Sequence, residues 1–344
     1  MMPPPLPAAD HPSSRLQLTS DVVRSLCVAW VSREGTVQRK GLDFSPDDGS
    51  FLLAPTMIDV HVYRTTLHHT DEPKLVQRLP SGHLGIAAAR FTRRGPQHIL
   101  TAPANQEDAS LRLWDLQLNL YTRIFPLPAP AVHLAMHPSK DLVLACCADS
   151  CVRLFSLNDT QPLARFASHS SPPAAAFDKE GIVFACASGR QVHLFDTNSY
   201  KESAFAGFDL SDRLPRHAHI TSLLFSPAAD HLLVGASTSD LLLLDAIYGR
   251  TLNALRGSSY DIENGSASRT TPPPPPAAFS PDGQFVFCGS DESPSLDVWE
   301  ALGGRVGRLD GHTQQPRFLA FHPTRAVLAS ASCDVALWLP KTPP

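Results

Sequence analysis

A chain of 344 residues that is 43% hydrophobic and 18% charged can bury a large core, which excludes global disorder. Lys+Arg number 29 against 33 Asp+Glu, a formal charge of −4, so this is not a generally basic, phosphate-coating protein, and no direct nucleic-acid partner is expected. No segment approaches the roughly 18–20 unbroken apolar residues of a membrane-spanning helix, so no membrane partner is expected either.

The chain opens on a Pro-rich stretch, residues 1–14, which lacks the basic-then-apolar order of a secretory signal. Residues 1–19 are expected to form a disordered tail, and the protein is expected to be intracellular. The seven cysteines (27, 146, 147, 151, 186, 288 and 333) should then be free thiols, most of them buried. An apolar run, Leu26-Cys27-Val28-Ala29-Trp30-Val31, comes next and has no obvious partner of its own.

From residue 44 two motifs alternate. The first is an apolar residue followed by Ser, Thr, His or Asp and often Pro, at Phe44, Phe91, Met136, Phe177, Phe225, Phe279 and Phe321. The spacings are 47, 45, 41, 48, 54 and 42 residues, close to the ~40–45 of a WD-type propeller blade. The second motif culminates at Tyr63, Trp114, Phe155, Phe195, Leu244, Trp299 and Trp338, between 17 and 23 residues after its predecessor. Between the two there is room for one tight turn and no helix. Period-2 apolar runs bounded by Pro, Asp and Gly read as strands, four to a unit and seven units.

The last unit stops at Trp338-Leu339-Pro340, after its third strand. The run at 26–31 is expected to supply its missing outer strand, closing the ring and hiding two strand edges. The expected fold is therefore all-β, a seven-bladed WD-repeat β-propeller over residues 20–340, with 341–344 as a tail. The longest spacing holds residues 258–276, which end in five consecutive prolines. They read as an exposed loop insertion and inert spacer, since such a run cannot donate ladder hydrogen bonds.

Polar residues at fixed places in the repeat read as fastenings within blades. In WD repeats a Gly-His pair before the first strand and an Asp before the third join a buried network. Blade two keeps Gly82-His83, Thr101, Asp108 and Trp114-Asp115; the last blade keeps Gly311-His312 and Trp338; blade three keeps Asp149. The expected structural network is thus His83, Asp108, Trp114, Asp149, His312 and Trp338, none of them catalytic. Cys146, Cys147 and Cys151, with His133 and His137, lack metal-site spacing, because adjacent strand residues point to opposite faces. Phosphate-loop, nucleophile-elbow and zinc-protease motifs are missing. No enzyme activity, metal or cofactor is expected.

The residues outside the generic repeat resemble one family. They are Ser20-Asp21-Val22-Val23-Arg24-Ser25, Phe177-Asp178-Lys179-Glu180-Gly181-Ile182-Val183-Phe184-Ala185, Asp245-Ala246-Ile247-Tyr248-Gly249, and the ending Trp338-Leu339-Pro340. The family is the small WD-repeat propeller subunit of the COMPASS-type, SET-domain histone H3 lysine-4 methyltransferase complex. In some organisms it is shared with the mRNA cleavage and polyadenylation machinery. The resemblance implies a non-catalytic nuclear scaffold, monomeric within its complex. Its implied partners are a SET-domain histone methyltransferase, other complex subunits, the phosphorylated C-terminal tail of RNA polymerase II, and cleavage and polyadenylation factors.

Recognition of a phosphorylated tail calls for guanidinium forks at the propeller rim. The face carrying the loops into each first strand holds Arg213, Arg216, Arg190, Arg39, Lys40 and Arg269. Arg213 leads, because Ser211-Asp212-Arg213 stands where the resemblance places an Asp-Arg pair. A second reading, a substrate receptor of a cullin-type ubiquitin ligase, would favour Trp-Asp-x-Arg after a third strand. Here Trp114-Asp115 is followed by Leu116-Gln117.

Overall fold

The computed structural model describes residues 17–32, 37–65, 72–105, 107–170, 172–238, 240–256, 276–290 and 293–341. Most of the N-terminal tail, nearly all of the Pro-rich insertion with Arg269, and residues 342–344 lie outside the described residues.

Seven four-stranded antiparallel sheets form the seven blades of a β-propeller. In blade two the order is Ala88–Phe91, His98–Ala102, Ser110–Asp115 and Leu120–Pro126, each pairing with the next. The first motif ends each blade's innermost strand, and the second lies on its third. Burial follows position. The second strand of blade six, Phe285–Gly289, is buried at every residue, because both its faces meet neighbouring blades. The outermost strand of blade one, Lys74–Pro80, alternates between exposed and half-buried, because only one face is covered.

Seven apolar clusters fill the seven interfaces between blades. Blades one and two share the cluster around Leu53, Ile99 and Trp114; blades four and five share that around Val192, Leu232 and Leu244. Blades six and seven enclose Phe287, Leu296 and Trp338; blades seven and one enclose Tyr63, Leu337 and Leu52. Each fully buried Leu or Phe contributes about 1.5–3 kcal/mol relative to exposure.

Closure is made by the N-terminal strand. Leu26–Ser32 pairs antiparallel with Val335–Pro340, placing Val28 opposite Trp338, and a bulge between Val28 and Trp30 adjusts the register. The chain leading in is also fixed. The helix Ser20–Arg24 is capped by Thr19, Val23 is 1% exposed, and the Leu18 N–H donates to Asp282 Oδ2 at 2.6 Å. Folded structure thus begins earlier than the expected residue 20, because Leu18 joins the core between blades six and seven.

Two kinds of stitch tie neighbouring blades beyond apolar packing. Where the first motif carries Ser, the hydroxyl closes its own turn: Ser45 Oγ accepts from Phe51 N, and Ser280 Oγ from Phe285 N. Where it carries His, the ring reaches the next blade. His137 Nδ1 accepts from the Ser139 and Lys140 amides, which leaves Nε2–H to donate to the Gly181 carbonyl at 2.9 Å. A Cβ at Gly181 would stand 2.2 Å from that ring, and Gly181 has φ of 74°, so this position requires glycine. His322 packs as closely on Gly49 of blade one, where a Cβ would stand 2.3 Å from Nε2, but without that hydrogen bond. On the outer strands, Gln77, Arg123 and Asn253 each donate to a backbone carbonyl in the third-to-fourth-strand turn of the following blade.

All seven cysteines are free, five buried and Cys27 and Cys333 half-buried. Cys146 packs between blades three and four and Cys147 between two and three, on opposite faces of one strand. Among the described residues no helix is long and apolar enough to cross a membrane.

Candidate functional site

The face that carries the entry loops was expected to offer cationic side chains, and the structure sorts them into three groups. Arg190, Arg213 and Arg216 come together at the junction of blades four and five. The loop between Ala206–Asp209 and Ile220–Phe225 is held down by Leu210, Leu214 and Ala218, each under 5% exposed. These anchors turn Arg213, Arg216 and His217 outward, and all three are exposed. Arg190, in the turn before the third strand of blade four, donates through Nη1 to the carbonyls of Ser211 (3.2 Å) and Leu214 (3.1 Å). It braces the loop that presents the other two. Neither Arg213 nor Arg216 makes a side-chain hydrogen bond or ion pair within the described residues, so both forks face solvent.

Lys40 stands apart, half-buried at the junction of blades seven and one, with its backbone N–H on the Pro55 carbonyl at 2.7 Å. Arg39 departs from expectation. It is 1% exposed and points into the protein. Its guanidinium donates to the Cys333 carbonyl (3.2 Å), the Ala54 carbonyl (3.1 Å) and His61 Nδ1 (2.9 Å). Its Nη2 faces the Tyr63 hydroxyl at 3.5 Å, and the buried fork is out of a phosphate's reach; Arg39 joins blades seven and one from within. Arg269 lies outside the described residues.

Around Arg39 lies a polar network that the sequence did not announce. Asp59 receives Arg78 Nε at 2.6 Å and lies 3.2 Å from His61 Nε2. Burial pushes the Asp59 carboxyl up, but the hydrogen bonds of Thr56 and Arg78 and the nearby His61 outweigh it, so it stays below its ordinary range. Burial, aided by the Arg39 charge, pushes His61 below its ordinary range. Ser32 of the closing strand bonds Tyr63 OH at 2.8 Å, tying closure to blade one.

The expected fastenings within blades are met unevenly. In the last blade His312 Nε2 lies 2.5 Å from Ser330 Oγ, and Trp338 Nε1 donates to the same oxygen at 2.7 Å. In blade two the anticipated His83–Asp108 link is not made. His83 sits in the 3-10 turn Gly82–Leu84 with its side chain exposed. Asp108 instead accepts from Ser110 Oγ and from Arg112 Nη2. Trp114 is 2% exposed and donates to Asn119 Oδ1 at 3.3 Å, away from His83. In blade three Asp149 takes both arms of Arg153, which is 3% exposed. A charged pair four residues apart across the turn has replaced the His–Asp link in both blades. The recurrence of Asp-x-x-x-Arg at 108–112 and 149–153 was the signal that could have revealed it.

Chemically, the junction of blades four and five offers two unpaired guanidinium forks on a braced loop, suited to an anionic peptide group. Among the described residues no group of three or more His, Cys, Asp or Glu side chains is placed to hold a metal ion.

Comparison with known proteins adds identity to this geometry. The family model described as "WD domain, G-beta repeat" matches residues 303–334, across the sixth and seventh blades. The chain is 29% identical to WD repeat-containing protein 82 of Drosophila melanogaster, covering 95% of this chain and 98% of that protein. It is 27% identical to COMPASS component SWD2 of Saccharomyces cerevisiae, covering 85% and 88%. It is also 27% identical to Set1 complex component swd2 of Schizosaccharomyces pombe, covering 80% and 75%. The chain is a WD-repeat β-propeller, and its similarity to these proteins spans most of the ring.

Proposed function

We propose that this protein is a non-catalytic subunit of a Set1-type histone H3 lysine-4 methyltransferase complex. It acts in the nucleus as a scaffold linking the SET-domain methyltransferase to chromatin and to transcribing RNA polymerase II. The observation that carries this reading is the extent of the similarity. Relatives named as COMPASS and Set1 complex components align over 85% and 80% of the chain, so the likeness reaches beyond a single repeat. A closed propeller suits the role, because it presents two broad faces on a rigid ring. Methyl transfer itself falls to the partner.

Within this reading Arg213 and Arg216 receive phosphoserine of the polymerase tail, Arg190 braces their loop, and Lys40 adds charge at a separate place on the same face. Guanidinium forks match phosphate bidentately, which favours Arg over Lys at such positions. Depleting the protein from cells and re-expressing wild type or R213A/R216A tests both levels. Loss of bulk lysine-4 trimethylation on depletion, restored by wild type, supports complex membership. Restoration of bulk methylation by the double variant, with loss of its binding to a serine-phosphorylated polymerase-tail peptide, assigns the rim to the polymerase. Unchanged methylation on depletion overturns the scaffold reading.

A further inference from the structure

A second group of cations sits inside the ring, toward the face opposite Arg213 and Arg216. The innermost strands enclose a cavity of about 350 Å³ whose apolar wall includes Phe44, Phe91, Met136 and Phe321. Arg90, Arg93 and Lys179, from blades two and four, line it, and among the described residues Asp43 is the only carboxylate in that lining. Arg90 Nη1 donates to the Leu42 carbonyl at 3.0 Å; Arg93 donates through Nη1 to the Pro46 carbonyl at 3.1 Å and through Nε to the His137 carbonyl at 3.4 Å. Arg90 is thus pinned to blade one, and Arg93 to blades one and three, each by part of its fork. Such pinning fixes the side chain before any ligand arrives, so little rotamer freedom is lost on binding.

Stitching of blades accounts for Nη1 of Arg90 and for Nε and Nη1 of Arg93, and leaves the remaining N–H groups without a hydrogen bond among the described residues. Lys179, exposed in the first turn of blade four, makes no side-chain hydrogen bond or ion pair within the described residues. Asp43 is one carboxylate against three cations, so the lining keeps a net positive charge. Asp43 Oδ2 accepts the Phe91 N–H at 2.8 Å, and burial pushes its carboxyl above the ordinary range against the pull of Arg90 and Arg93. Asp47 acts on Arg93 from the exposed turn of blade one, and it stands outside the cavity lining, as do Asp178 and Glu180 beside Lys179.

We propose that this end of the central channel binds a small polyanion bearing several phosphates, held by Arg90, Arg93 and Lys179. The volume falls at the small end of ligand pockets, which run from about 300 to 1,000 Å³. The site is independent of membership in any complex, and it lies on the other face from the proposed polymerase-tail contacts.

Calorimetric titration of the full-length protein with inorganic tripolyphosphate at low salt tests the proposal. One binding event is expected, weakening as salt rises because the attraction is ionic. K179E should weaken it at least about tenfold, as loss of one charge-assisted contact implies, with an unchanged melting temperature. R93Q should weaken it as well, and R213A/R216A should bind like wild type. No binding at low salt, binding indifferent to K179E and R93Q, or binding lost in R213A/R216A would each overturn the assignment.

Discussion

Trp338 offers the sharpest test of how the ring is held shut. It lies on the third strand of the last blade, opposite Val28 of the closing strand, and is 1% exposed. Its Nε1 bonds Ser330 Oγ at 2.7 Å, and its ring meets His312 with centroids 5.9 Å apart. A Cβ built on Gly311 would come within 3.0 Å of the indole, so the pocket is tight and cannot collapse freely when emptied. Trp338→Ala therefore leaves a cavity between blades six and seven and should cost about 3–5 kcal/mol. Unfolding entropy near 2.1 cal/mol/K per residue gives about 0.7 kcal/mol per kelvin for 344 residues, so the melting temperature should fall by about 4–7 °C. Trp338→Phe keeps most of the volume and loses the N–H donor, and should fall about a third as far. Differential scanning calorimetry with a urea titration measures both. A melting temperature for Trp338→Ala within about 1 °C of wild type would refute the closure described here.

Other expectations follow from the same structure. Removing residues 1–14 should leave the melting temperature unchanged, whereas removing 1–31 should unfold or oligomerise the protein by exposing the edge of Val335–Pro340; a monomeric, equally stable 32–344 fragment in sedimentation would contradict this. Arg39→Met should destabilise by about 3 kcal/mol, since His61 and two buried carbonyls lose a charged donor, and a loss below about 1 kcal/mol in urea would show the network to be idle. Burial and the nearby Arg325 push His322 down to about 4. The unfolded chain then takes up that proton first as pH falls from about 6.5, so stability is full above pH 6.5 and declines toward pH 4. Thermal melts of His322→Gln should show a shallower decline over that window than wild type, and an identical slope would exclude His322 as a source.

The ring itself was legible because its evidence is local and repeated. Each blade's first and third strands carry apolar period-2 runs ending at a turn, and seven copies fix the blade number whatever any one contributes. Closure was legible from a surplus and a deficit, an unpartnered run at 26–31 and a final unit one strand short. The side-chain fastenings were not, for two physical reasons. Some partners are far apart in sequence: His137 meets Gly181 across 44 residues, and His322 meets Gly49 only because the ring closes. Others depend on which way a loop faces. Arg39 reads as a rim cation, yet its backbone N–H bonds the Ser332 carbonyl at 2.9 Å and the side chain drops into the seam. Gly82-His83 carries the residue types of a WD fastening, but the 3-10 turn there swings the imidazole outward.

The most direct measurement of the functional account is affinity purification of the tagged full-length protein from nuclear extract. Partners would be identified by mass spectrometry, and histone methyltransferase activity would be assayed in the eluate. The account predicts a SET-domain methyltransferase among the stoichiometric partners, with lysine-4 methylation of histone H3 in the same fraction. A fraction holding only a ubiquitin-ligase adaptor, or only cleavage and polyadenylation factors, without methyltransferase protein or activity, would contradict it.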